Sequence, residues 1–143
     1  MEYAVFQVSL KVLLRNGEKV LLTKESGDII DLPGGRVDMG EENMPLEDII
    51  AREISEELGK DLKFRLGQVL FVDRVDRTKE DRWIFHVVFD AEYLSGDIIL
   101  SDEHVSYEWV DRKAYQIKRD SFLPEDEEKY QALKKYFDSL ANR

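Results

Sequence analysis

From Pro45 to Gly59 the chain reads Pro-Leu-Glu-Asp-Ile-Ile-Ala-Arg-Glu-Ile-Ser-Glu-Glu-Leu-Gly. Leu46, Ile50, Ile54 and Leu58 recur every four residues, with Ile49 beside them. That recurrence places the apolar side chains on one stripe of a helix. Pro45 suits a first helical position, where its missing N–H costs nothing. Gly59 suits the position just beyond a helix end, where the backbone turns left-handed. A helix with one apolar stripe must bury it against a second layer. The rest of the chain has to supply that layer.

The remainder reads mostly as strands. Val5, Val8, Leu10, Val12 and Leu14 alternate in part, and Asn16-Gly17 is a strong hairpin turn ahead of a return strand at Val20, Leu21 and Leu22. Ser26 to Gly40 carries four glycines and one proline and reads as loop with little regular structure. Leu62 to Arg74 reads as a strand interrupted or bulged at Gly67, and Asp73 to Asp81 as a charged loop. Trp83 to Tyr93 reads as a strand buried on both faces, and Ser106 to Val110 as a short strand. Asp111 is placed to cap a brief helix from Arg112. Glu125 to Leu140 reads as an amphipathic helix with Tyr130, Leu133, Phe137 and Leu140 on one face. This order predicts an α/β sandwich with a mixed β-sheet, formed by one domain over residues 1–143.

Composition removes several classes of function. With no cysteine, disulfides, thiolate chemistry and cysteine-ligated metals are excluded. Two histidines, His86 and His104, leave little for a histidine metal site. No run of apolar residues is long enough for a membrane span, and the Met1-Glu2-Tyr3-Ala4 start lacks the features of a secretory signal. A cytoplasmic location is the expectation. The formal net charge of −10 argues against a duplex nucleic acid partner, which calls for clustered Lys and Arg. An acidic protein can still act on an anionic substrate when metal cations bridge the two.

The helix carries the chemistry. In Arg52-Glu53-Ile54-Ser55-Glu56-Glu57, Glu56 and Glu57 stand three and four residues after Glu53. Such positions are neighbours on a helix surface, so three carboxylates converge near one patch. Arg52, four residues before Glu56, offsets part of the repulsion. A solvated acidic face would look like this, and so would a divalent cation site. Mg²⁺ and Mn²⁺ prefer hard oxygen ligands and keep positions open for water and substrate phosphates. Upstream lies Leu32-Pro33-Gly34-Gly35-Arg36-Val37-Asp38-Met39-Gly40-Glu41. Its glycine pair would let backbone approach other backbone or a ligand closely.

The loop and helix together resemble the Nudix hydrolase family. The family signature is glycine, five residues, glutamate, seven residues, then Arg-Glu-apolar-x-Glu-Glu-x-Gly-apolar. Gly35, Glu41, Arg52, Glu53, Ile54, Glu56, Glu57 and Gly59 fit it. Two features depart: ten residues separate Glu41 from Arg52, and Lys60 takes the final apolar position. The extra three residues fall near Glu42-Asn43-Met44, because the helical pattern from Leu46 is intact. The lengthening bears on Glu41 more than on the helix glutamates.

The resemblance implies an α/β/α sandwich and metal-dependent hydrolysis of a pyrophosphate link in a nucleoside diphosphate derivative. It implies Glu53, Glu56 and Glu57 as holders of Mg²⁺ or Mn²⁺, helped by the Gly34 or Gly35 carbonyl, with Arg52 orienting the glutamates. A later acidic residue serves many relatives as ligand or base; Glu103 is the candidate, with Asp102 and Glu108 as rivals. The general base stays open among Glu53, Glu56, Glu57 and Glu103. The implied partner is a small-molecule nucleotide, and a homodimer is expected from resemblance alone. The alternative is a silent nucleotide-sensing or partner-binding module on the same fold.

Substrate signals are thinner. Phe6, Phe71, Trp83, Phe85 and Tyr107 are available to stack on a base, and Arg74, Arg77, Lys79 and Arg82 form a local basic spot. His104 is available to assist Glu103, but the preferred reading is a loop histidine facing solvent. Oxidised nucleoside triphosphates, ordinary nucleotides, ADP-ribose and other sugar nucleotides, and dinucleoside polyphosphates are all open.

Overall fold

The structure is a computed structural model that describes residues 2–141. Its frame is a mixed sheet of seven strands. Strand β1 (Gln7–Asn16) turns at Asn16-Gly17 into β2 (Lys19–Glu25), and β3 (Ile29–Asp31) and β4 (Gly34–Arg36) follow. Helix α1 (Leu46–Leu58) separates these from β5 (Lys63–Arg77) and β6 (Arg82–Ser95), and β7 (Ser106–Asp111) and α2 (Glu127–Ala141) complete the order.

The strands lie in the order β3-β2-β1-β6-β5, with β4 beside β1 and β7 beside β2. Only the β1–β6 pair is parallel among the described pairings; the rest are antiparallel. Strand β1 is central and buried on both faces. Leu10, Val12 and Leu14 pack with Ile49, Ile50, Ile54 and Leu58 of α1. Leu13 packs on the other face with Leu133 and Phe137 of α2. The two helices therefore cover opposite faces, the expected α/β/α sandwich.

Helix α1 begins one residue later than expected, with Pro45 as its non-helical cap at ψ 137° and not its first residue, and Gly59 ends it at φ 101°. Several local expectations are corrected. The glycine-rich stretch Ser26–Gly40 is not plain loop: it holds β3 and β4, whose pairing comes from β2 and β1 and not from local propensity. Nor is the charged stretch from Asp73 to Asp81 all loop, since β5 stays paired with β6 out to Arg77 opposite Arg82. Only Thr78–Glu80 forms a short helical turn there. Asp111 accepts hydrogen bonds from the Lys113 and Ala114 amides at 2.9 and 3.3 Å, but it closes a turn and no helix follows. The interruption near Gly67 is real: the β5–β6 register shifts between Leu66 and Val69. No helix among the described residues is long and apolar enough to cross a membrane.

Candidate active site

Strand β4 and helix α1 meet edge to edge, and two glycines make the meeting possible. Gly34 sits at φ 134°, and a side chain there would strike the Leu10 carbonyl oxygen. A Cβ on Gly35 would strike the Glu53 carboxylate. The Gly34 amide donates a hydrogen bond to Glu57 Oε2 at 2.8 Å. Two glutamates one turn apart on the inner side of α1 are thus laid against bare backbone.

Glu53 and Glu57 are buried, at 8% and 5% exposure. Burial disfavours their charge, and it raises both carboxyls. Glu57 is pushed up to about 7, against the opposing pull of Lys11 and the Gly34 amide. Glu56 does not join them. Its side chain is exposed and lies 3.2 Å from an Arg52 nitrogen. The sequence placed three carboxylates on one patch; the fold brings two together and leaves the third on the rim.

Arg52 gathers four acids. Its Nε and one terminal nitrogen bind Glu41 at 2.8 and 2.7 Å. It also reaches Glu53 at 2.9 Å, Glu56 at 3.2 Å and Asp38 at 3.4 Å. The hydrogen bonds to Glu41 are the main reason its own pKa is raised, and they pull the Glu41 carboxyl down, aided by the Asp38 amide. The extra residues after Glu41 are absorbed in a turn in which the Met44 amide donates to the Glu41 carbonyl at 3.0 Å. Glu41 therefore keeps its contact with α1 despite the longer connection.

These groups open on a cleft of about 540 Å³ on the sheet face that α2 covers in part. Glu103 lines it, exposed, from the connection between β6 and β7. Asp102 does not line it, and Glu108 is tied to Lys24 at 3.2 Å on β7. His104 is not the solvent-facing residue the sequence suggested. It is 7% exposed, lines the cleft, and its Nε2 stands 3.1 Å from Asp31. Burial opposes its charge, but Asp31 outweighs burial and raises its pKa.

Asp31 is a hub that sequence reading missed. Lys11 and Lys129 approach it at 3.5 Å each. Burial resists its charge, yet these two cations hold its carboxyl well below the usual range. Lys11 also donates to the carbonyls of Leu32 and Gly34, at 3.1 and 3.5 Å. It thereby fixes the loop whose Gly34 amide holds Glu57. A lysine within the apolar run Val8–Leu14 was the available signal.

The stacking candidates lie elsewhere. Phe6 packs against Trp83 and Phe85, and Phe71 packs against Tyr136. None of the five aromatics lines the cleft. Of the basic spot, Arg77 and Arg82 do line it, whereas Arg74 is paired outside it with Glu128 at 2.8 Å.

Comparison with known proteins agrees with this geometry. The NUDIX domain model matches residues 5–133. The chain belongs to the NUDIX family. It is 32% identical over 111 residues to nucleoside triphosphatase NudI of Escherichia fergusonii, covering 68% of this chain and 77% of that one. A NudI of Escherichia coli O81 is 30% identical over the same length and coverage. Among solved structures, a MutT protein from Methanosarcina mazei Go1 superposes with a TM-score of 0.71 at 24% identity, covering 96% of both chains. An ADP-ribose pyrophosphatase from Streptococcus suis superposes at 0.63 and 18% identity, covering 94% of this chain and 92% of that one. Likeness at those identities concerns the fold. With the family established, this Nudix chain is a pyrophosphohydrolase of nucleotide derivatives.

The donor set suits a hard divalent cation. Among the described residues no three acidic or histidine side chains already form a closed ligand group. What the fold offers is two buried carboxylates and a third at the rim, beside the backbone of Gly34 and Gly35. An open set of this kind leaves positions for water and phosphate. Gly35 supports the same reading, because any side chain there would fill the space beside Glu53.

Proposed function

We propose that this Nudix chain hydrolyses the pyrophosphate link of a small nucleotide, a nucleoside triphosphate first of all, with Mg²⁺ or Mn²⁺ held on α1. The observation that carries the reading is the pair Glu53 and Glu57, buried against β4 at the mouth of a cleft and lacking a full counter-charge. The preference for a triphosphate rests on the sequence likeness to NudI.

Glu53, Glu56 and Glu57 would hold the metal with the Gly35 carbonyl. A bound Mg²⁺ or Mn²⁺ screens phosphate charge and lowers the pKa of its water. Arg52 positions Glu53 and Glu56 through its ion pairs, and Glu41 in turn positions Arg52. Glu103 is exposed in the cleft with no ion pair among the described residues, and we assign it the role of taking the proton from the attacking water. Lys11, Arg77 and Arg82 line the cleft, paired with Asp31, Asp126 and Glu80, and are the cations within reach of the remaining phosphate oxygens.

The partner is a small molecule and not duplex nucleic acid, in keeping with the formal net charge of −10. A cysteine-free chain also suits the cytoplasm, the location we propose. A homodimer is supported by family resemblance alone.

The test is product release from a panel of nucleoside triphosphates, nucleotide sugars and dinucleoside polyphosphates, with Mg²⁺ and with chelator. Metal-dependent release of a nucleoside phosphate supports the reading. Binding without release in any metal would instead make the chain a sensing module.

A further inference from the structure

The floor of the cleft carries a polar row that the hydrolytic chemistry does not use. Ser9 of β1 is in register with Arg36 of β4 on one side and with His86 of β6 on the other, and His86 is in register with Asp73 of β5. Residues directly opposite on neighbouring strands point to the same face of a sheet. Four polar side chains therefore cross four strands in one line. Ser9, His86 and Asp73 are 3%, 7% and 2% exposed, an unusual depth for such groups.

The row has a direction. Asp73 Oδ1 stands 2.8 Å from His86 Nδ1. An ionised carboxylate only accepts, so Nδ1 is the donor. In the neutral ring this leaves a lone pair on Nε2. Nε2 has no hydrogen-bond partner among the described residues and stays open to solvent beside the cleft that His86 lines. One step along the strands lies the apolar pair Val75 and Ile84, and one step further Arg77 and Arg82. Each step is about 7 Å. In the other direction β4 leads from Arg36 to Gly34 and the Glu57 carboxylate.

We propose that His86, held by Asp73 and flanked by Ser9, reads the nucleoside of the substrate, accepting a hydrogen bond from an N–H of the base or an O–H of the sugar. This rests on the cleft being the nucleotide site. Ile84, half-buried and backed by the buried Val75, gives the flat part of a nucleoside a surface to lie on, and Nε2 faces its polar edge. Asp73 does not touch substrate; it is a positioning residue that fixes which ring nitrogen carries the proton.

Two variants separate reading from mere packing. His86→Asn keeps an amide donor near Asp73 and withdraws the acceptor from the cleft. His86→Gln restores a polar atom near the place of Nε2. Steady-state kinetics with Mg²⁺ on ATP, GTP, CTP, UTP and their 2′-deoxy counterparts, alongside Mn²⁺ binding, give the readout. His86→Asn should raise KM for the preferred substrate about tenfold, leave kcat within about threefold, leave Mn²⁺ binding intact and erase the wild-type preference. His86→Gln should recover part of it. Loss of preference among bases identifies the donor as the base, and loss of the ribose-to-deoxyribose difference identifies the sugar. Unchanged selectivity, a wild type with no preference, or a fall in kcat with KM unmoved would overturn the proposal. A wild type that hydrolyses none of the panel would remove the hydrolase reading itself, a result distinct from those three.

Discussion

Glu41 and Arg52 are joined by two hydrogen bonds, at 2.7 and 2.8 Å, across a connection lengthened by three residues relative to the family spacing. The pair anchors the loop to the helix that bears the glutamates we assign to the metal. Glu41→Gln keeps the shape but removes the charge that orients the guanidinium. Supporting contacts of this kind typically contribute about 10–100-fold in metal affinity or activity. We expect kcat/KM to fall within that range with an unchanged circular dichroism spectrum.

The two glycines should fail in different ways. Gly35→Ala drives a methyl into the Glu53 carboxylate, so it should abolish most activity while the sheet survives. Gly34→Ala meets the backbone of Leu10 at φ 134°, a conformation that costs a side-chain-bearing residue about 1–3 kcal/mol. Thermal denaturation should show the larger loss of stability for Gly34→Ala, and a Mn²⁺ titration should show weakened binding for both.

With Glu57 as a metal ligand, as we propose, metal binding should depend on pH. Its carboxyl, raised by burial to about 7 from an ordinary 4.5, is largely protonated at pH 6 in the metal-free protein. A ligand carboxyl must lose its proton, so Mn²⁺ affinity should rise with pH through 6–7 and level off above. The stability of the metal-free protein has the opposite slope. The neutral group favours the fold below about 4.5, and that contribution is lost as pH rises through about 7. Glu57→Gln should therefore raise the melting temperature of the metal-free protein at pH 8. Chelator-treated samples followed by calorimetry check this.

Asp31 is the counter-charge for two buried lysines. Removing one partner of a buried ion pair commonly costs about 3–5 kcal/mol. Asp31→Ala leaves Lys11 and Lys129 uncompensated, and urea denaturation should show a loss of that order. Because the folded-state carboxyl is held well below 3.8, its contribution is present above that value and disappears only as pH falls through the depressed one. The wild type should keep this part of its stability under mild acid.

The helix was legible because its information is local: a four-residue apolar repeat between Pro45 and Gly59 needs no partner to be read. The glutamate spacing on it was legible for the same reason. Strand β4 was not, since Gly34-Gly35-Arg36 has no strand preference and pairs only because β1 presents a free edge. His104 was misread because its burial depends on Asp31, 73 residues away. The spacing of Glu56 matched that of its neighbours, but Arg52 draws it to the rim. The aromatic candidates were judged by residue type, whereas register sends Trp83 and Phe85 away from the cleft and turns Ile84 and His86 toward it.

Turnover of Glu57→Gln with Mg²⁺ and a nucleoside triphosphate that the wild type hydrolyses is the most direct measurement. The substitution preserves the acceptor for the Gly34 amide and removes only the charge. A fall of at least about 100-fold, with native fold and lost Mn²⁺ affinity, is the expected result. Turnover equal to that of the wild type would contradict the assignment of a catalytic metal to α1.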